Sequence, residues 1–556
     1  MIFRHKLVLS SVLTLSVACS GADPEVSPAP DEPEEEPAEE PQDEPDPPSG
    51  RFLLSLEVEK LPILQGTQEQ LRVRVERKHG FVGPVKISAE HLPTGVEFEG
   101  GTVAADETEI SVRLTAPETA PHCLPTQVRL VGKSDDLEDR RSVVVTVYGP
   151  PGSVDTSFQS GHVVTPVGPS DAYATAMAAQ ADGKILVVGK SYDHQGDFAV
   201  LRLEQDGKLD QAFGEGGLVI TEVGQGADLA QAVVVDDEGR IVVAGSSSSA
   251  DTGIDFALVR YLPDGTLDAS FGDGGRVVTA LGTDTDRALS MVLQADGKIV
   301  LGGDTNRGTS STGVDFALCR YQDDGALDAS FGEAGCAVQS VAENTGTDSV
   351  YALALQEVDG KNYIVAAGGE GDFMLARFDE RGELDDSFGD SGSVVGVFGS
   401  VIGAARGVAI NQAGGIVVGG HVGHDFALAQ LTADGSLDAD FGEEGKVLTA
   451  VSADNWDEAQ GLALEDSGSI VVAGWAYEGA SSSANTVVVR YQPSGSLDTD
   501  FGEAGIVVSE VAAPTKPDQG MALLLSADDR VPAVRLLVAG TAVDSVSMFA
   551  VTRLWR

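Results

Sequence analysis

Downstream of residue 50 the chain runs in short stretches of alternating apolar and polar residues, broken by turns rich in glycine and aspartate. Between Arg51 and Tyr148 these stretches are Phe52 to Val58, Gln70 to Val75, Val85 to Ile87, Glu109 to Leu114, Gln127 to Val131 and Val143 to Val147. Residues two apart in a strand share a face, so each stretch presents one apolar and one polar side. Six or more such strands within about 100 residues predict a β-sandwich.

From residue 150 the pattern becomes periodic. A phrase of the form G-x-L-D-x-x-F-G-x-x-G, seen at Gly265 to Gly275, returns seven times, with its aspartates at Asp155, Asp210, Asp268, Asp328, Asp385, Asp438 and Asp498. The spacings are 55, 58, 60, 57, 53 and 60, a period that marks a repeat architecture. Each unit reads as four strands. In the copy around Asp268 they are Arg276 to Thr279, Arg287 to Leu293, Ile299 to Gly303 and Asp315 to Tyr321, with Asp296-Gly297 as a hairpin turn. Four short strands per repeat are the content of one propeller blade. If the Ala-rich strand before the D-G turn is innermost, the array opens with an outer strand, Gly161 to Thr165, that has no inner strands before it. It closes with Met521 to Leu525, Arg535 to Gly540 and Met548 to Leu554, which lack an outer one. The two incomplete sets make one blade. The prediction is all-β: seven four-stranded blades, the ring closed by the N-terminal strand in the last blade, preceded by the sandwich.

Two resemblances sharpen this. Gly80-Phe-Val-Gly-Pro-Val85 and Leu92-Pro-Thr-Gly-Val96 look like bacterial extracellular Ig-like domains, which implies that residues 51–149 are a spacer or adhesive module. The seven phrases resemble the delta-60 repeat family of bacterial surface and secreted proteins, and their rhythm is similar to NHL-type propellers. That resemblance covers Gly152 onward, within a propeller domain of residues 150–556. It implies a fold and carries over no catalytic residues.

The N-terminus changes the picture from fold to address. Arg4, His5 and Lys6 precede an apolar run from Leu7 to Ala18, too short to span a bilayer, which reads as an export signal over residues 1–19. The run ends Leu15-Ser-Val-Ala-Cys19 and resembles a bacterial lipoprotein signal, which implies lipidation of Cys19; Ser16 stands where an aliphatic residue is usual. Residues 20–50 follow as an acidic linker: positions 22–50 hold 12 acidic residues, 9 prolines and no basic residue, a composition expected to stay disordered and extended. The expectation is a protein exported and lipid-anchored in a bacterial cell envelope, at the outer membrane or cell surface, meeting the membrane through its anchor alone.

Charge limits the partners. With 87 acidic residues against 36 basic ones the formal net charge is −51, which repels nucleic acid and anionic lipid surfaces. An envelope or extracellular protein or a glycan remains as ligand for a monomeric head. The D-G turns and the phrases fall at one end of each meander and hardly vary. The loops at the other end, such as Ser246 to Thr252, Gly420 to His424 and Trp475 to Ser483, vary freely, and loops on a rigid scaffold carry binding. An aspartate precedes the innermost strand in five units: Asp228, Asp286, Asp348, Asp457 and Asp518; Asp171 falls one residue early and Gly403 breaks the series. These carboxylates either shape their own loops through main-chain bonds or form an acidic collar at one mouth of the channel that binds a cation, Ca2+ being the one its oxygen ligands fit. His421, His424 and Asp425 are a weaker metal candidate. Cys319 and Cys336 fall on neighbouring strands, where export permits a disulfide. Arg202, Arg260, Arg320, Arg377, Arg490 and Arg553 recur late in the third strand, Gln430 breaking the series, and read as blade-to-blade ion pairs.

No catalytic constellation emerges and no cofactor is implied. The functional expectation is a non-catalytic, envelope-tethered binding or scaffold protein. The alternative is a propeller hydrolase or lyase using a metal at the acidic channel mouth.

Overall fold

The computed structural model describes residues 50–556 except 194–195, 283, 307–312, 342–347, 400–401, 453–455, 478–483, 512–516 and 527–534. The export signal, Cys19 and the acidic linker therefore lie outside the described residues. The described chain is all-β.

Residues 51–148 form two sheets. One runs in the order Arg51–Leu56, Thr67–Lys78, Glu109–Ala116, Glu97–Glu99. The other runs Lys60–Leu64, Leu137–Tyr148, Thr126–Ser134, Val85–Glu90, Gly101–Val103. Alternation sets the faces: in Thr67–Lys78, Leu71, Val73 and Val75 are buried while Arg72, Arg74 and Glu76 face water. Val73, Leu114, Val128 and Val145 meet in a single core. The strand Lys60–Leu64 escaped the sequence pattern because Pro62 breaks it. Its sheet uses it only as an edge, parallel to Leu137–Tyr148, where the missing N–H costs no ladder bond.

Residues 152–555 build seven four-stranded antiparallel sheets, numbered here by their first strands: Ala172–Ala179, Asp228–Val235, Asp286–Leu293, Val350–Val358, Gly403–Ile410, Asp457–Leu464 and Asp518–Ser526. Each first strand lies against the first strand of the next sheet, and the seventh meets the first, so the sheets form a closed cycle. The second and third strands are buried on both faces, which is why V-V-A-G and D-F-A-L read as continuous apolar runs. The core is divided into slabs between neighbouring sheets: Val188 and Phe198 of sheet one pack with Ile241 and Tyr261 of sheet two. Sheet seven takes its inner strands from Asp518–Ser526, Arg535–Val543 and Ser547–Trp555, and its outer strand is His162–Thr165, pairing His162 with Thr552 and Thr165 with Phe549.

The repeated phrase is the joint between sheets. Asp268 Oδ1 accepts from the Ser270 amide at 3.0 Å and from its hydroxyl at 2.6 Å, closing the turn. Asp268 Oδ2 accepts from Arg260 Nε at 2.8 Å. The Arg260 guanidinium lies 4.5 Å from the centre of the buried Phe271 ring, and its Nη1 donates to the carbonyl of Asp323 in the next sheet. The amide of Gly272, held at φ 51°, donates across the same seam to the Asp324 carbonyl at 2.8 Å. Gly325 of the next sheet presses on this assembly: a Cβ there would stand 3.1 Å from the Phe271 ring. The expected ion pair between sheets is present at Arg260, whose Nη1 lies 3.2 Å from Asp323 Oδ1 of the next sheet. Its main partner is nonetheless the aspartate of its own sheet, because the phrase folds back under the third strand that carries it, and at Arg320 and Arg377 the neighbour is reached through a main-chain carbonyl.

The sandwich docks on the array through Trp555, which is fully buried. Its Nε1 donates to His122 Nδ1 at 2.9 Å, and His122 Nε2 lies 3.3 Å from Gln65 Oε1. The Arg535 guanidinium lies 5.1 Å from the Trp555 ring. Since Nδ1 accepts, the proton of the neutral ring sits on Nε2. Burial pulls the His122 pKa below its ordinary value, partly opposed by the Asp155 carboxylate and a main-chain bond at Val154.

Candidate functional site

Every first strand of the array carries a β-bulge at the same position. In sheet five Ala405 pairs with Gly420 and Gly407 with Gly419, leaving Arg406 as the extra residue. The same shift sets aside Thr175, Gln231, Leu289, Tyr351, Gln460 and Met521 in the other six sheets. A bulge re-aims a side chain that regular pairing would direct elsewhere, and all seven residues line one central cavity of about 490 Å³. Their neighbours along the strand are small or aliphatic, such as Ala232, Ala352, Gly407, Gly461 and Ala522. A constant backbone thus presents seven side chains of six kinds to one space.

Among the residues lining this cavity, Arg406 is the single charged one. Its guanidinium lies 3.8 Å from the Tyr351 ring centre. Its Nη2 is 3.5 Å from Glu458 Oε1, an oxygen that also accepts from Gln460 Nε2 at 2.8 Å. Its Nε is buried without a hydrogen-bond partner. Tyr351 is held by its hydroxyl, which donates to Glu370 at 2.8 Å. At the end of the array where the first strands begin, aromatic rings gather: His424 stacks on Trp456 at 4.9 Å, Tyr173 meets Tyr192 edge-on at 5.8 Å, and Trp475 meets Tyr477 at 5.4 Å. Trp456 and Tyr192 stand 39% and 47% exposed, so this end offers apolar and stacking surface in a strongly acidic protein.

Of the two readings of the recurring aspartates, their burial favours loop shaping over a collar. Asp228, Asp286, Asp348, Asp457 and Asp518 are all buried and none lines the cavity. Each turns back to the loop leading into its strand. Asp228 accepts from the amides of Val223 and Gly224, Asp286 from Leu281 and Gly282, Asp348 from Val341, Asp457 from Val451 and Ser452, and Asp518 from Val511. The main-chain donors of a tight loop hold a carboxylate more closely than a channel would. Burial raises the pKa of Asp286 and Asp457, against the lowering effect of those bonds; Asp255 and Asp425 of the preceding sheets add to the rise. Asp171, one residue early, accepts the Ser547 amide at 2.7 Å.

His421 is buried with Nδ1 4.0 Å from Glu458 Oε1, whereas His424 stacks on Trp456; Asp425 begins the strand after them and acts electrostatically on Asp457. Among the described residues no group of three or more His, Cys, Asp or Glu side chains is placed to hold a metal ion. Cys319 and Cys336, directly paired across their strands, form a disulfide.

The bulge ring is the feature that sequence reasoning missed. Its signal was present: the residue between two small ones in most of the Ala-rich strands (A-T-A, A-Q-A, A-R-G, A-Q-G) varies among repeats while its flanks stay small.

Five segments, 180–213, 239–271, 294–331, 414–441 and 466–501, match a family described as "Domain of unknown function (DUF5122) beta-propeller". The chain is thus an all-β, repeat-built protein with a β-propeller domain whose function the family does not define. No curated protein matches it. Solved structures with which it shares a likeness include the surface layer protein SbsC, domains 4-9, at 10% identity over 90% of this chain and 81% of that one, with a TM-score of 0.14. Another is the ICAM-5 D1-D4 ectodomain fragment, at 12% identity over 91% and 98%, with a TM-score of 0.17. At such scores neither bears on the fold or the site.

Proposed function

We propose that this chain is a non-catalytic, envelope-tethered binding or scaffold protein. A seven-bladed propeller of delta-60 repeats forms its head, closed three-plus-one by His162–Thr165. An Ig-like sandwich forms its spacer, the acidic segment its extended stalk, and lipidated Cys19 its anchor at an outer membrane or cell surface. The head presents a protein or glycan with the face where the first strands begin, as a monomer. The observation that carries this reading is the contrast between one backbone repeated seven times and the differing side chains it displays on a single channel and mouth. Exposed Trp456 and Tyr192 add the amphipathic rings that favour binding surfaces.

The test uses the full chain in detergent to capture ligands from envelope extracts and to probe an immobilised glycan panel. Trp456→Ala combined with Tyr192→Ala should abolish capture, while Lys208→Ala at the opposite end should leave it intact. Equal capture by both variants would place binding elsewhere. The alternative, a metal-assisted hydrolase or lyase, draws on the aspartates before the first strands. Their commitment to loop amides favours the binding reading, and Ca2+ there would act as a structural ion. Metal-dependent release of fragments from envelope glycans, lost with chelator, would restore the enzymatic reading.

A further inference from the structure

We propose that the central cavity holds a small organic carboxylate, its anionic end on Arg406 and its apolar body among the aliphatic side chains below. The inference rests on the binding reading above and narrows it to one site and one ligand chemistry.

The electrostatic setting is the first observation. In a chain of net charge −51, acidic side chains would be expected in any polar cavity, yet the single charge lining this one is cationic. The second is the state of that cation. A guanidinium carries five N–H donors in a planar fork. Here one nitrogen makes a long 3.5 Å contact with Glu458, and Nε is buried with no acceptor. Tyr351 stands against the guanidinium at 3.8 Å and supports it, so that the donors not engaged by Glu458 are available to a carboxylate. Glu458 is itself shared with Gln460, so it is a support for the arginine more than its full counter-charge.

The third observation is shape. About 490 Å³ lies within the range of small-molecule sites. Met177, Met291, Leu353, Leu462 and Leu523 give that space an apolar part beside the polar Thr175, Ser290 and Gln460. In the cycle of sheets, Gln231 of sheet two stands across from Arg406 of sheet five and offers one neutral polar group at the far wall. A site with one cation, two amides and several aliphatic side chains suits an anion that carries a hydrocarbon part, and its cation disfavours inorganic cations.

Benzoate, hexanoate and glucuronate titrated calorimetrically into the full chain, with benzamide as the neutral isostere, test this. Benzoate or hexanoate should bind at one per chain, and benzamide at least about tenfold more weakly, the difference expected for a charge-assisted bidentate pair. Arg406→Gln should weaken benzoate by about 10- to 100-fold. Arg406→Lys, which keeps the charge but not the fork, should recover only part of the loss. Circular dichroism should match the parent in both variants. Equal binding of benzoate and benzamide, unchanged affinity in Arg406→Gln, or no binding of any carboxylate at millimolar concentration would overturn the proposal. Capture of an envelope ligand that survives Arg406→Gln while the carboxylates fail to bind would sink this site alone and leave the mouth as the binding surface.

Discussion

Gln430 is a natural experiment inside the array, and it makes the energy of the phrase measurable. In six sheets an arginine holds the phrase aspartate, as Arg260 Nε holds Asp268 at 2.8 Å. In sheet five Gln430 Nε2 holds Asp438 at 2.7 Å. Glutamine keeps that bond but lacks the reach to the next sheet and the cation over the phenylalanine ring. Arg260→Gln therefore removes one hydrogen bond to the Asp323 carbonyl, about 1 kcal/mol, one cation–π contact, about 0.5–2 kcal/mol, and an ion pair with the exposed Asp323 carboxylate that adds little. The expected loss is about 2 kcal/mol. Arg260→Ala also strips Asp268 of its cation, leaving a buried carboxylate with only Ser270, and should cost about 3–5 kcal/mol. The reverse change, Gln430→Arg, should gain about 1–2 kcal/mol. Phe441 lies buried where Phe271 lies in its own sheet, and the Ser494 carbonyl already accepts from Gly442, with the Pro493 carbonyl beside it to take the new donor. Guanidinium-chloride unfolding of the full chain, followed by fluorescence, orders the variants. The expected order of stability is Gln430→Arg, parent, Arg260→Gln, Arg260→Ala. A destabilised Gln430→Arg, or an Arg260→Ala no worse than Arg260→Gln, would refute the assignment of the arginine to both roles.

Other outcomes follow from the same geometry. Deleting residues 549–556 removes all four strand partners of His162–Thr165 and the Trp555 dock, so the melting temperature should fall sharply; an unchanged value would show that the cycle does not depend on that strand. Reduction, or Cys319→Ser with Cys336→Ser, opens a link between residues 17 apart and should cost about 3 kcal/mol, read as a shift in denaturation midpoint with and without reductant. His122 has a folded pKa below its ordinary value, so its neutral form is favoured in the folded chain. The stability it confers is present above the usual histidine pKa of about 6.5 and is lost as pH falls below it through the folded value. Trp555 fluorescence should report this loosening over that window, and His122→Gln should remove the pH dependence.

Much of the fold was legible because repetition averages out local noise. One Asp-Gly turn is a weak signal, but Asp296-Gly297 recurring with the same apolar runs at the same offsets fixes four strands and their order. The sandwich was read less completely: Pro62 hid an edge strand, and Glu97–Glu99 and Gly101–Val103 are too short to show a period. For the site, the sequence left the recurring aspartates with two readings. Asp228 and its counterparts recur in register, and recurrence drew them toward function, whereas their burial against loop amides makes them part of the scaffold. The residues that face the channel are those that do not recur. A bulge that turns Arg406 inward is invisible to a period-two reading, because it is one residue out of phase with the strand that carries it.

Sheet seven has a consequence for how the molecule forms. Its outer strand, His162–Thr165, is made some 380 residues before the strand it pairs with, Ser547–Trp555. Six sheets can assemble locally, each from consecutive hairpins, as the chain lengthens. The cycle cannot close until its last strand is available, and until then one face of sheet one and one face of sheet six are exposed, with an unpaired strand waiting at the start. Closure is thus the slow, high-contact-order step, and the growing array is most prone to misassembly just before it. The clasp that makes the finished ring durable sets the moment at which it is most vulnerable.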